Sequence, residues 1–195
     1  DIYGQTLGKD AALTFNVGAA ERQLTGPPGE LVGADSAAKP KISIWTVNEK
    51  SLRVSIHRVT PTDWDTYGDW LQDRDRLAIP GDLLATLTLP VKVDPDNRVE
   101  TTIDLAPYLR DNLGHFLLQV DQTSPPRDRW ARQSWTGWVQ VTKIGLTAFV
   151  DGGHVLAWAN ELGSGKALAG VGVTLGPKGR SADTGADGLA SLELA

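Results

Sequence analysis

The residues Gly163, Ser164, Gly165 and Lys166 spell the close of a phosphate-binding loop, in which backbone N–H groups cradle phosphate and a lysine reaches it. Such a loop needs a glycine five positions before the Gly-Lys pair and a Ser or Thr after it. Those positions hold Asn160 and Ala167. It must also run from a strand into a helix, whose N-terminus meets the anion. Here an alternating, glycine-bearing strand pattern follows at 170–175. All three requirements fail, and the stretch is expected to be the loop of a β-hairpin.

The other chemical spellings are no stronger. Asp94, Asp96, Asn97 and Glu100 cluster oxygen ligands that would suit calcium, but the spacing lacks the central glycine and distal glutamate of a calcium loop. A turn between two strands accounts for them. His57, His115 and His154 lie far apart without a ligand partner at metal-site spacing. Ser134 and Ser164 have no Gly-x-Ser-x-Gly elbow and no partnered histidine. Asp63, Asp65, Asp69, Asp73 and Asp75 are interleaved with Arg74 and Arg76, as on a solvated face. Accordingly no catalytic residue, metal site or cofactor is expected, and the chain reads as a non-enzyme.

The aromatic residues carry more. Trp130, Trp135 and Trp138 stand near Arg127, Arg129 and Arg132, and tryptophan with arginine is a common interface composition. Trp130, Arg132, Trp135 and Trp138 are the residues expected at an interdomain interface. Core packing with cation–π contacts at a domain junction is the favoured account of these residues, and a junction is itself an interface.

The elements that must position these residues are mostly strands. In residues 51–59 Leu52, Val54 and Ile56 alternate with Arg53, Ser55 and His57, the pattern of a half-buried strand. Similar alternation marks 12–18, 41–48, 83–93, 98–105, 115–122, 135–141, 145–151, 154–160, 170–175 and 189–194. Turn residues separate them at 94–97, 151–153, 177–179 and 186–188. Many short strands at this spacing predict an all-β chain of antiparallel sandwiches. One helical insertion interrupts them: Trp64, Tyr67, Trp70 and Leu71 fall at helical spacing within 60–78, with Thr62 or Asp63 as N-cap. Residues 18–40, rich in Gly, Pro and Ala, read as a linker.

The chain has 195 residues, a net charge of −5, no cysteine and no methionine. The charge gives no basic footprint for nucleic acid. No run reaches the ~20 apolar residues of a membrane span. Without cysteine there can be no disulfide and no thiolate chemistry. The opening at Asp1 and the strand-like close at Ala195 suggest a piece of a longer polypeptide. The expected organisation is 1–36 as the end of a preceding Ig-like module plus linker, 37–138 as one sandwich, and 139–195 as a second, truncated one.

Three stretches carry a family resemblance: 1–18, like closing strands of a preceding module; 41–71, a strand pair leading into a helical insertion; and 104–123 with 138–175. Together they resemble the macroglobulin-like domains of bacterial alpha-2-macroglobulin-like peptidase inhibitors. The resemblance implies Ig- and fibronectin-III-like sandwiches that neighbour further domains of the same chain. It implies peptidases as partners of the full-length parent, which is cut at a bait segment, rearranges and traps the attacker. A periplasmic location follows, with the parent lipid-anchored to the inner membrane. The thioester of many members needs a cysteine, which this chain lacks. Two other readings share the strand grammar: a structural or adhesive module of another exported Ig-like array, and a sugar-stacking accessory sandwich.

Overall fold

A computed structural model describes residues 2–4, 8–10, 12–176 and 179–194. Thirteen strands and one α-helix follow in chain order among these residues. They are β1 (Gln23–Thr25), β2 (Leu31–Asp35), β3 (Lys41–Val47), β4 (Ser51–Arg58), α1 (Trp64–Gln72), β5 (Asp82–Pro90), β6 (Arg98–Asp104), β7 (Gly114–Gln122), β8 (Ser134–Thr142), β9 (Ile144–Asp151), β10 (His154–Glu161), β11 (Gly172–Thr174), β12 (Ser181–Asp183) and β13 (Leu189–Glu193).

Two sheets form the main sandwich, one ordered β1-β3-β6 and the other β2-β8-β7-β4-β5. Their inward rows are what the alternation dictates: Ile42 and Ile44 of β3 and Ile103 of β6 face Leu52, Val54 and Ile56 of β4. Phe116, Leu118 and Val120 of β7 and Val139 and Val141 of β8 complete this core. Each such side chain contributes roughly 1.5–3 kcal/mol by leaving water. The larger sheet is covered on its second face too. There Leu117 of β7 and Trp138 of β8 lie under Tyr67 and Trp70 of α1, with Val59 beside them. Burial on both faces explains why β7 reads Phe-Leu-Leu rather than alternating.

The helix follows directly on a short 3-10 turn, Pro61–Asp63. Its N-cap is Asp63, but the Asp63 carboxylate turns back to accept the Thr60 N–H at 2.8 Å.

Two expectations need correcting. Residues 18–40 are not a free linker: β1 pairs antiparallel with β3, and β2 runs parallel to β8 from Leu31↔Trp138 to Asp35↔Thr142. The larger sheet therefore holds one parallel pair among antiparallel ones, and β1, β2 and all of β8 to Thr142 belong to this sandwich. Residues 12–22 form no strand, leaving Leu13, Phe15 and Val17 exposed. In addition, the turn expected at 177–179 falls partly outside the described residues.

Beyond β8 a smaller assembly begins. β10 lies between β9 and β13 in one sheet, and β11 pairs with β12 in a two-stranded ladder. Ala157, Val173, Ala190 and Leu192 pack between them. β9 keeps Leu146, Phe149 and Val150 largely in solvent.

The loop that spells like a phosphate site joins these two layers. Glu161 N–H donates to Lys166 O at 2.8 Å, Gly165 N–H to Glu161 O at 2.8 Å, and Ser164 Oγ–H to Glu161 Oε2 at 2.5 Å. An isolated bridge, Asn160↔Ala167, closes it. It is a tight turn, though not a hairpin between ladder partners, because β11 crosses to the other layer.

Candidate functional site

The four residues expected at an interface occupy different surroundings. Trp130 lies in a 3-10 turn and is 96% exposed. Arg132 is exposed and its Nε–H donates to Pro126 O at 3.1 Å. Trp135 and Trp138 fall three apart on β8, so their side chains leave opposite faces of the sheet. Trp135 packs against the sandwich core and its Nε1–H donates to Pro27 O at 3.1 Å. The ring lies so close to Gly26 and Gly137 that a Cβ on either would sit 2.5 Å from it. Trp138 is buried on the helix side. The structure thus sets Trp135 and Trp138 on opposite faces of the sheet and leaves Trp130 and Arg132 exposed.

Trp138 instead anchors an aromatic cluster. Its ring meets Trp64 at 5.2 Å edge-on, Tyr67 at 5.5 Å and His115 at 6.2 Å between centroids. Such tilted and edge-to-face contacts each add roughly 0.5–1.5 kcal/mol beyond area burial. Arg74 stacks over Trp70 at 4.8 Å. The Trp138 Nε1–H donates to His115 Nδ1 at 3.3 Å, which fixes that nitrogen as an acceptor. Burial pushes the His115 imidazole below its ordinary range, toward the neutral form this bond requires. The helix N-terminus leaves one corner of the cluster open. There Leu31, Pro61, Trp64, His115, Trp138 and Gln140 line a shallow cup of about 280 Å³, with Trp64 41% exposed at its rim.

A second constellation carried no sequence signal. The Glu49 carboxylate, between β3 and β4, is buried with 1% of its side chain exposed. Arg22 grips it with two N–H groups, Nε to Oε1 at 2.8 Å and Nη2 to Oε2. Gln122 Nε2–H adds a third donor at 2.6 Å. The chain of bonds continues: Gln133 N–H donates to Gln122 Oε1 at 3.1 Å, and Leu24 N–H to Gln133 Oε1 at 2.6 Å. Two residues earlier, Ala20 N–H donates to Asp96 Oδ1 at 2.8 Å and Asn48 Nδ2–H to Ala20 O at 2.8 Å. The segment entering β1 is therefore held at Ala20, Arg22 and Leu24, every second residue.

The residues weighed for chemistry scatter. Asp96, from the calcium-like turn, is spent on Asn48 and Ala20, and those bonds hold its carboxyl below the usual range. His57 is buried, its Nδ1 has no hydrogen-bond partner, and burial lowers its pKa against an opposing bond with Gly81. His154 stands at the exposed start of β10. No group of three His, Asp or Glu side chains suited to a metal exists among the described residues. No helix there is long and apolar enough to cross a membrane.

The fold, a sandwich of a three- and a mixed five-stranded sheet capped by one helix and followed by a second small β assembly, is similar to that of macroglobulin domains. Solved structures similar to this chain include two fragments and the whole molecule of alpha-2-macroglobulin from Escherichia coli. Its fragment spanning domains NIE-MG1 superposes with a TM-score of 0.59 at 17% identity, over 90% of this chain and 88% of that one. The fragment spanning MG0-NIE-MG1 gives a TM-score of 0.62 at 16% identity, over 90% of this chain and 58% of that one. The native conformation of the whole molecule gives 0.55 at 18% identity, with this chain covering 12% of its length. No family model matches the sequence, and no curated protein matches it. The fold expected from the resemblance is the fold observed.

Proposed function

We propose that the chain is a non-catalytic scaffold stretch of a bacterial alpha-2-macroglobulin-like peptidase inhibitor. The observation that supports this reading is the fold match with the NIE-MG1 fragment over 90% of this chain and 88% of that one. The sandwich then corresponds to residues 23–142 and the second unit begins at β9. Residues 12–18, an alternating strand pattern without a partner, serve a preceding module. In this reading the sandwich transmits rearrangement between neighbouring domains, with Trp130 and Arg132, both exposed, among its contacts with them. The partners are attacking peptidases, engaged by the whole polypeptide in the periplasm, and the parent is lipid-anchored to the inner membrane.

The test uses the full-length polypeptide mixed with trypsin in slight excess. A trapped peptidase keeps its activity on a small chromogenic peptide and loses it on a large protein substrate. Equal loss on both, or on neither, would remove the trapping function and favour a purely structural module.

A further inference from the structure

β2 is an edge strand, and its outer side has no strand partner among the described residues. Trp138 N–H donates to Glu30 O at 2.9 Å and Ser36 N–H to Thr142 O at 3.0 Å, which fixes the phase of the parallel ladder. Residues 32 and 34 therefore bond to β8, and Leu31 and Gly33 turn their N–H and C=O groups outward. The outward stretch is short. At Asp35 it ends against Gly163, where a Cβ would stand 2.7 Å from the Asp35 carboxylate. At Gly33 the face of the sheet is open, with nothing within 4 Å of an added Cβ.

Two depressions flank this edge, one on each face of the sheet. On the helix face lies the cup of Trp64, Trp138, His115 and Leu31, and Leu31 itself is 53% exposed. On the core face a groove of about 320 Å³ runs along Val32 and Ala34 toward Pro27, Trp45, Lys39 and Lys41. Both lysines are exposed and neither has a carboxylate partner among the described residues. A strand laid along an edge sends alternate side chains to opposite faces. Cup and groove are thus the two receptacles one added strand needs.

We propose that the β2 edge is a docking site for an extended peptide segment of a protein partner, added as a further strand. It pairs with the N–H and C=O groups of Leu31 and Gly33. One aromatic side chain enters the cup, the next residue on the other face is apolar, and acidic residues beyond it meet Lys39 and Lys41. Main-chain bonds supply affinity and the two receptacles supply selectivity. The proposal rests on the sheet edge alone and holds whether or not the trapping function does.

The probe is the fluorescein-labelled peptide Ser-Thr-Val-Phe-Glu-Thr-Glu-Ser, titrated with the 195-residue chain by fluorescence polarisation. A peptide of the same composition with its alternation broken is the control. The expected result is saturable binding at least ten-fold tighter than the control, with new hydrogen-exchange protection at Leu31 and Gly33. Gly33→Pro removes an outward donor without touching the β8 ladder and should weaken binding at least ten-fold. Lys39→Glu with Lys41→Glu should do the same and abolish the salt dependence, and Leu31→Asp serves if the proline variant misfolds. Equal binding of both peptides, no binding at millimolar peptide, or indifference to all three variants would overturn the proposal. A sedimenting dimer of the free chain that Leu31→Asp dissociates would also overturn it, by making a second copy the occupant.

Discussion

Replacing Arg22 with alanine strands the Glu49 carboxylate. Two of its three donors disappear, and the neutral Gln122 amide alone faces a charge with 1% of its side chain in water. Breaking one side of a buried ion pair costs roughly 3–5 kcal/mol. Arg22 is 34% exposed, so water can enter part of the space it leaves. The expected loss is therefore about 2–3 kcal/mol, or a fall of roughly 10 °C in Tm for a sandwich of this size. Urea unfolding followed by tryptophan fluorescence measures it. The decisive arm is the double variant Arg22→Ala with Glu49→Gln. If desolvated charge is the cause, neutralising residue 49 should restore at least half of the loss, giving a coupling of about 1 kcal/mol or more. A single-variant cost under about 0.5 kcal/mol, or strictly additive losses, would refute the reasoning.

Further outcomes follow from the same packing. Trp138→Ala should cost about 3–5 kcal/mol by emptying the aromatic cluster, whereas Trp130→Ala should stay within about 0.5 kcal/mol; denaturant midpoints that reverse this order would contradict the assignment of the two residues. Gly81 has φ +81° and a Cβ there would lie 2.2 Å from Arg58 O, so Gly81→Ala should lower Tm clearly, and an unchanged melt would mean the turn is free to relax. His57 and His115 are both lowered by burial, so the unfolded chain binds more protons than the folded one below pH ~6.5. Stability should hold above pH ~6.5 and fall as pH drops through and below it. The double variant His57→Gln with His115→Gln should flatten that slope in melts recorded from pH 7.5 to 5, and an unaltered slope would place the titration elsewhere.

Much of the fold was legible because burial on one face imposes a period of two. Leu52, Val54 and Ile56 announce β4, and Trp64, Tyr67 and Trp70 announce the helix for the same reason at a different period. The failures share a cause. Residues 12–18 alternate perfectly, yet a strand exists only where another strand pairs with it, and alternation records a face rather than a partner. β2 reads Leu-Val-Gly-Ala-Asp among prolines and glycines, so its small residues resembled a linker. Its Val32 and Ala34 are nonetheless packed on the core, and its partner lies over a hundred positions away. The tryptophans stand close together in the sequence, but an interval of three on a strand separates Trp135 from Trp138 across the sheet. The Arg22–Glu49 pair could not be read at all, since nothing local marks which of many charges will be buried together.

The most direct measurement of the central claim is sedimentation velocity of the full-length polypeptide before and after exposure to trypsin. The account predicts that a limited cut raises the sedimentation coefficient through compaction, with the peptidase migrating in the same boundary. A slower boundary of separating fragments, with free trypsin beside it, would contradict the reading of this chain as part of a peptidase trap.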